Sequence, residues 1–237
     1  MINRQRLVPL ALRFPAQHQP PSPLLPAPAR PPAAIAAAIC LVIVALLAIA
    51  SVHQDHGFPV DRAVESWLVG LHIPERGMSL FSRIGGGLVA TALTAALALA
   101  CLIRRRLSAA VLTVAGVALA SALTEYVLKP SIHRTINGAL VYPSGHATGL
   151  FALATAVAII LLAPRTGRPP HALRYAAVAL ATAVATAVGL AMVALGYHYF
   201  TDTIGGAALG TGVMLATALV LDLEVVRRQL GMTSDCA

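Results

Sequence analysis

The chain has 237 residues, of which 58% are hydrophobic and 11% are charged, and its mean hydropathy is +0.79. This composition leaves too little polar surface for a soluble globule, so it predicts an integral membrane protein. The formal net charge of +8 does not indicate a nucleic-acid-binding face, because the basic residues fall in small clusters between apolar runs.

The first part of the chain is rich in proline and arginine. Residues 1–32 contain eight prolines between positions 15 and 32, which do not sustain a helix, and we expect a disordered cytoplasmic tail there. The apolar run 33–52 that follows has the length of roughly twenty residues that a membrane-spanning helix needs. A signal peptide cleaved after Ala50 is the alternative, but a run of this length favours a retained helix.

Five further apolar runs of spanning length follow, at residues 84–103, 107–128, 147–163, 176–195 and 203–221. We therefore predict an all-α fold, in which residues 33–223 form a polytopic membrane bundle of six transmembrane helices and residues 224–237 form a short cytoplasmic tail. Of the three cysteines, Cys40 and Cys101 lie inside these runs and Cys236 lies in the tail, so no disulfide framework or metal-binding spacing is present.

Between the first two spans, apolar residues recur at helical spacing from Val60 to Leu71, and Asp61 and Glu65 fall on the opposite face. This pattern predicts a short helix on the membrane surface with Trp67, the one tryptophan, at the level of the lipid head groups. A loop helix packed on the bundle is an equally good interpretation. In the last span, Gly206 and Gly210 form a GxxxG step that predicts close helix packing.

The distribution of lysine and arginine predicts the orientation, because positive residues are retained on the cytoplasmic side. With both termini in the cytoplasm, twelve basic residues fall on the cytoplasmic side and five on the outer side. The outer five are Arg62, Arg76, Arg83, Lys129 and Arg134. Both polar segments that carry candidate chemistry, residues 129–146 and 198–202, are then extracytoplasmic.

The first of these segments predicts an anion site. Ser144, Gly145 and His146 stand immediately before an apolar helix, where unsatisfied amide groups and the positive end of the helix dipole attract an anion. Lys129, the one lysine of the chain, and Arg134 add positive charge nearby in the sequence. We interpret Glu125, four residues before the lysine, as its ion-pair partner along one helix face.

The second segment adds a histidine and a carboxylate. His198 and Asp202 are four residues apart, so on a helix they share a face, and the carboxylate can orient the imidazole. Two histidines beside an anion site suit phosphoryl transfer through a phosphohistidine, in which one attacks and the other protonates the leaving oxygen. A metal site formed by His146, His198 and Asp202 is the alternative, but it leaves the anion site unexplained.

These motifs also resemble a known family. Lys129 to Arg134, the PSGH at 143–146 and the HYFTD at 198–202, in this order and each at the outer end of a span, look like the three motifs of the type 2 phosphatidic acid phosphatase superfamily. That superfamily also includes glucose-6-phosphatase and the vanadium haloperoxidases. The resemblance implies that His198 is the nucleophile, that Asp202 orients it and that His146 is the general acid. It also implies that the phosphate ligands are Lys129, Arg134, Ser144 and Gly145.

The sequence departs from the family pattern at two places. Ile136-Asn137 stands where the first motif ends in Arg-Pro, and Ala191-Met192 stands where the third motif opens with Ser-Arg. A lost arginine removes a charge-assisted hydrogen bond worth about 1.5 to 3 kcal/mol. Either Arg134 and an outer-loop residue such as Arg83 compensate for these losses, or the enzyme is slow. We expect Met192 to face lipid or packed helices because its neighbours are apolar.

The resemblance implies a metal-independent lipid phosphate phosphatase of the plasma membrane that needs no cofactor and acts on a phosphate or diphosphate monoester at the extracytoplasmic face. Polyprenyl diphosphates, polyprenyl-phosphate sugars and phosphatidate-type lipids all fit, and the expected partners are the lipid phosphate and the bilayer, with no nucleic acid. The alternative is a catalytically weak or inactive member, or a non-enzymatic membrane protein, that only binds lipid head groups.

Overall fold

The computed structural model describes residues 23–163 and 170–229, with side chains described up to residue 223. Within those residues the fold is all-α, as predicted, apart from one small antiparallel hairpin. Its strands, β1 (Thr135–Ile136) and β2 (Ala139–Leu140), pair Thr135 with Leu140 and Ile136 with Ala139. The predictions for residues 1–22 and 230–237 of the two tails concern residues outside the described ranges, and the connection 164–169 also lies outside them.

The helices follow the apolar runs of the sequence. They are α1 (Arg30–Ser51), α2 (Pro59–Gly70), α3 (Glu75–Ile84), α4 (Gly87–Ile103), α5 (Leu107–Ala122), α6 (Lys129–Ile132), α7 (Gly145–Leu162), α8 (His171–Ala194) and α9 (Phe200–Gln229). A short 3-10 turn at Ala27–Ala29 precedes α1. A π-helical turn at Leu123–Leu128 joins α5 to α6, so residues 107–132 form one continuous apolar helix.

Five of the described helical segments are long and apolar enough to cross a membrane, and a bent pair supplies a sixth. That pair is α3 and α4, which meet at an angle of 46° around Gly85 and Gly86. The predicted single span 84–103 is therefore wrong at its start, since α4 alone has 17 residues and α3 precedes it. A side chain at Gly85 would lie 2.7 Å from Val188, so the glycine permits α8 to approach the bend closely.

Helices α7 and α9 pack on each other at the centre of the bundle, with α5 and α8 against them and α1 on the other side of α9. A Cβ atom at Gly206 or Gly210 would overlap the carbonyl oxygens of Ser144 or Thr148. The GxxxG step therefore brings α9 against the backbone of α7, which is the close packing that the sequence predicted.

Backbone hydrogen bonds tie the elements together at the end of the bundle that carries the hairpin, here called the hairpin end. The His53 amide donates to the Ile132 carbonyl, and the Thr135 amide donates to the Gln54 carbonyl, each at 2.9 Å. These bonds connect the chain after α1 to the segment that follows Lys129. The residues predicted to carry chemistry therefore lie at one end of the bundle.

Helix α2 lies at the hairpin end and packs on α8 and α9. Trp67 is 60% exposed, which suits a residue at the membrane surface. Asp61, however, is 1% exposed, so the predicted placement of this residue on the polar outer face is wrong. Because Asp61 points inward, α2 has a buried charge that must be paired within the protein.

At the opposite end of the bundle, the predicted boundary of the first tail, at residue 32, lies too far along the chain. Helix α1 begins at Arg30 with two prolines in its first turn, where a missing amide hydrogen bond costs nothing. The amides of Leu24 and Leu25 donate to the two carboxylate oxygens of Asp222 at 2.7 and 2.8 Å. Residues 24–32 are thus part of the packed bundle rather than of a disordered tail.

Candidate active site

A cavity of about 1040 Å³ opens at the hairpin end and extends between α4, α5, α7 and α8. Small and apolar residues line its deeper part, among them Ala90, Ala95, Val117 and Ala118. Among the described residues, the charged or titratable side chains that line it are Glu125, Lys129, His146, Tyr197 and His198. Four of the seven predicted site residues, Lys129, Gly145, His146 and His198, therefore line one cavity.

Ser144 is the N-cap of α7, and its hydroxyl accepts a hydrogen bond from the Ala147 amide at 3.5 Å. Its own amide donates to the Asp202 carbonyl at 3.0 Å, and the residue is completely buried. Ser144 is not among the residues that line the cavity, and its hydroxyl caps α7 in this structure. The residue instead fixes the start of α7, so that Gly145 and His146 face the cavity.

His198 lies in the turn between α8 and α9, and it is 9% exposed. Its Nδ1 is 2.9 Å from the Val141 carbonyl oxygen and 3.9 Å from Oδ2 of Asp202. The expected orienting bond to Asp202 is therefore replaced by one to the Val141 carbonyl, because α9 begins at Phe200 and no helical turn joins the two residues. Since Nδ1–H donates to a carbonyl, Nε2 is left as the unprotonated nitrogen.

The environment keeps the His198 ring neutral. Burial, together with the positive charges of Lys129 and of a protonated His146, lowers the pKa of His198 to about 4, although the hydrogen bond to Val141 acts in the opposite direction. A neutral imidazole with a fixed Nδ1–H and a free Nε2 lone pair is the form that a nitrogen nucleophile needs.

Arg134 lies behind the cavity wall and is fully buried between two carboxylates. Its Nη1 donates to Oδ1 of Asp202 at 2.5 Å and to the Thr201 hydroxyl at 2.8 Å, and its Nη2 donates to Oδ2 of Asp61 at 3.0 Å. The guanidinium also stacks on the ring of Tyr199, with 4.2 Å between Cζ and the ring centroid. The expected role of Arg134 as a phosphate ligand does not agree with this position, because both Nη atoms hold carboxylates and the fully buried side chain does not line the cavity.

Asp202 completes the same buried group. Its Oδ2 accepts from the Tyr199 amide at 2.9 Å, just before the first turn of α9, while Oδ1 holds Arg134. Asp61 accepts from the Thr201 amide at 2.8 Å, so both carboxylates hold the start of α9. Asp61, Arg134 and Asp202, called here the buried triad, fix the helix that follows His198 without lining the cavity.

Lys129 and Glu125 form the predicted ion pair inside the cavity. The lysine Nζ is 2.7 Å from Oε1 and 2.9 Å from Oε2 of the carboxylate. A Cβ atom at Gly145 would lie 2.9 Å from Oε1 of Glu125, so the carboxylate rests against the first turn of α7. The lysine expected to bind phosphate is thus already paired.

Residues 128–224 match the family model of the PAP2 superfamily, a range that contains all seven of the predicted site residues. Within this range, the chain is similar to the PAP2 superfamily. Its fold is similar to the crystal structure of a transmembrane PAP2-type phosphatidylglycerolphosphate phosphatase from Bacillus subtilis, with a TM-score of 0.60, 19% identity, and coverage of 84% of this chain and 98% of the other. A search of curated proteins found no significant match.

The two positions that depart from the PAP2 motifs lie in different surroundings. Ile136 is in strand β1 and is partly buried. Met192 is 5% exposed and lines the cavity, so the expectation that it faces lipid or packed helices is wrong. This position was not predictable from the sequence, because the adjacent Ala191 and Val193 are also apolar and, unlike Met192, do not line the cavity.

Sequence reasoning about the PAP2 motifs also missed the partners of the motif residues. Asp61 is 73 positions from Arg134, and Val141 contributes a backbone carbonyl that any residue type would offer. A group of three metal-ligating side chains from His, Cys, Asp or Glu was not found within the described ranges. The geometric reason is that Asp202 faces Arg134 and not the cavity shared by His146 and His198.

Proposed function

We propose that this protein hydrolyses a phosphate or diphosphate monoester of a membrane lipid through a phosphohistidine intermediate. The observation that carries the proposal is the arrangement of His198 and His146 on one cavity with Lys129, beside the N-terminus of α7. The match of residues 128–224 to the PAP2 superfamily model and the similarity of the fold to that of a membrane lipid phosphatase support the same reaction class. The apolar depth of the cavity, between α4 and α5, fits a lipid chain.

In the first step, Nε2 of His198 attacks phosphorus and the bond from phosphorus to the ester oxygen breaks. His146 donates a proton to that oxygen, so the lipid alcohol leaves and a phosphohistidine remains. In the second step, His146 takes a proton from water, the water oxygen bonds to phosphorus, and the N–P bond breaks. Inorganic phosphate is released and both histidines return to their starting states.

The other residues serve binding and position in this proposal. Lys129 and the backbone at Gly145 hold the phosphate oxygens, since a lysine and a helix N-terminus both stabilise an anion. The Val141 carbonyl holds Nδ1–H and stabilises the positive ring of the phosphohistidine. The buried triad keeps the start of α9, and therefore His198, in place.

We place this site on the extracytoplasmic side of the plasma membrane, with both termini in the cytoplasm. Support comes from the charge distribution, because the opposite end carries Arg30, Arg104, Arg105, Arg106 and Arg174 among the described residues. Over the full sequence, this orientation puts twelve lysine and arginine residues on the cytoplasmic side and five at the hairpin end, and two of these five, Lys129 and Arg134, are paired with carboxylates. This distribution is typical of a cytoplasmic opposite end.

Binding of lipid head groups without turnover is the second candidate. It is favoured by the Lys129–Glu125 pair and by Ile136 and Met192 at the positions of the family arginines. Phosphate release by the purified protein in detergent, measured over a panel of lipid phosphates, separates the two functions. We expect release by the wild type and none by His198→Ala; binding of the same lipids without release by the wild type would support the second candidate.

A further inference from the structure

Glu125 stands where the substrate anion is expected. Its carboxylate holds Lys129 through both oxygens, at 2.7 and 2.9 Å, and rests against Gly145 in the first turn of α7. Lys129 and the start of α7 are also the groups that would bind the phosphate in the proposed reaction. A phosphate entering the cavity must therefore separate Glu125 from Lys129.

The local backbone places both side chains on the cavity. The π-helical turn Leu123–Leu128 carries Glu125, and Lys129 follows it directly. Such turns occur often at functional sites because they change which residues of a helix face a neighbour. Glu125 retains partial exposure in this position, with its side chain 47% accessible, whereas that of Lys129 is 17% accessible.

The charges of the cavity wall then cancel. Among the described residues that line the cavity, Lys129 is the basic side chain with a fixed charge, and Glu125 is the carboxylate. A bare phosphate monoester that takes Lys129 leaves Glu125 unpaired and close to a second anion, which is unfavourable. A head group with an ammonium group beside the phosphate pairs with both members of the ion pair, so no charge is left without a partner.

We propose that Glu125 is a specificity-determining residue that favours lipid phosphates whose head group carries an amine next to the phosphate. This proposal rests on the proposed function for the location of the phosphate. Lys129 binds the phosphate oxygens and Glu125 binds the ammonium, so the substrate replaces the internal ion pair with two external ones. Head groups without the amine are disfavoured because Glu125 repels their phosphate.

Two soluble head-group mimics test this inference without a lipid tail. O-phosphoethanolamine and 2-hydroxyethyl phosphate share the phosphate ester and differ in the amine. We measure their dissociation constants by calorimetry with the full-length protein in detergent, for wild type, Glu125→Gln and the control Glu65→Gln. Glu65 lies on α2 and is exposed.

We expect the wild type and Glu65→Gln to bind O-phosphoethanolamine about tenfold more tightly, the ratio that one charge-assisted hydrogen bond provides. In Glu125→Gln, 2-hydroxyethyl phosphate should bind more tightly than in the wild type, and the preference for the amine should disappear. An unchanged ratio in Glu125→Gln overturns the proposal, as does weaker binding of both compounds, which would show that Glu125 only supports Lys129.

The readout keeps this proposal separate from the proposed function, because binding is measured without turnover. If the wild type prefers the amine but releases no phosphate from any lipid, the hydrolytic function fails and the specificity stands. If lipid phosphates are hydrolysed but the two mimics bind equally to the wild type, the specificity fails and the hydrolytic function stands.

Discussion

Arg134 donates a hydrogen bond to Asp202 across 68 positions of sequence, and neither side chain is exposed to solvent. The same guanidinium holds Asp61, so it joins α2 to α9. An arginine between two buried carboxylates stabilises the fold by neutralising charges that burial would otherwise make costly. Stabilising the fold in this way is a different role for Arg134 from binding phosphate, and substitutions of Arg134 distinguish the two roles.

We expect Arg134→Ala to lower the free energy of unfolding by about 3 to 5 kcal/mol, because it leaves two buried carboxylates without a cation. Arg134→Lys should also destabilise the protein, since a lysine cannot donate to both carboxylates in the same geometry. Thermal unfolding in detergent measures both effects, and Arg83→Ala, at an exposed position of α3, is the control. An Arg134→Ala protein of wild-type stability with weakened phosphate binding would restore the ligand role.

The activity should persist to low pH. Because burial and the nearby positive charges lower the pKa of His198 to about 4, the ring remains unprotonated from neutral pH down to that value and loses its nucleophilic lone pair only below it. In a profile of kcat/KM against pH, the limb due to His198 should lie near pH 4. It should stay there when the substrate is exchanged for one with a different phosphate pKa. A limb near 6.5, the ordinary value for histidine, would contradict the buried geometry.

The same shift affects stability. Between pH 6.5 and about 4, the unfolded chain binds a proton at His198 that the folded protein does not bind, so the free energy of unfolding should fall as the pH falls through this window. His198→Gln should remove part of this dependence. Unfolding measured in detergent over this pH range checks the sign, and an unchanged slope in the variant would assign the dependence to other groups.

The orientation is testable by labelling with a membrane-impermeant thiol reagent after Cys40, Cys101 and Cys236 are replaced by serine or alanine. A cysteine at Asn137, in the exposed turn of the hairpin, should be labelled in intact cells. A cysteine at His171, at the opposite end, should be labelled only after permeabilisation. His171 is chosen because its replacement leaves the count of lysine and arginine unchanged, and the reversed labelling pattern would invert the topology.

A chelator tests whether the proposed reaction needs a metal ion, and vanadate tests whether it uses a histidine nucleophile. We expect activity to survive EDTA, because the proposed steps use histidine and lysine side chains alone. Vanadate should inhibit, because it adopts the trigonal bipyramidal geometry of the phosphoryl transition state and bonds to a histidine nitrogen. Assays of phosphate release with and without each reagent provide the measurement. Loss of activity in EDTA that a divalent ion restores would argue for a metal site instead.

Met192→Arg introduces a cation at a cavity-lining position where the family motif has an arginine. We expect stronger binding of 2-hydroxyethyl phosphate, by about tenfold, because the guanidinium adds one charge-assisted hydrogen bond. Val193→Arg is the matched control, since Val193 is 2% exposed and does not line the cavity, and it should destabilise the protein by several kcal/mol. Equal destabilisation by both variants, with no gain in binding, would exclude the cavity-facing position of Met192.

The helices were predictable because each span is an uninterrupted apolar run, and length alone decides whether such a run can cross a bilayer. The bend between α3 and α4 was not predictable, since three consecutive glycines at 85–87 permit a bend without fixing its angle. The clustering of His146, His198 and Lys129 followed from motif order and from the side of the membrane on which each span begins.

The wrong details share one physical cause. Asp61 looks like a surface residue on a helical wheel, and Arg134 looks like a phosphate ligand in a basic loop, because each residue was judged by its neighbours in the sequence. Their actual environment comes from each other and from α9, at separations of 73 and 68 positions. A short-range pattern contains no information about such pairs, and the same is true of Leu24 and Asp222 at the other end.

Helix α9 is held at both of its ends by parts of the chain made much earlier: Leu24 and Leu25 bind Asp222, and Arg134 and the Ser144 amide bind Asp202. In the order of synthesis, Asp61 and Arg134 are made long before Asp202, so the buried triad is complete only when α9 is present. A chain that ends before residue 198 contains His146 on α7 but neither His198 nor Asp202, so the two cavity histidines come together only after the last connection and helix are made.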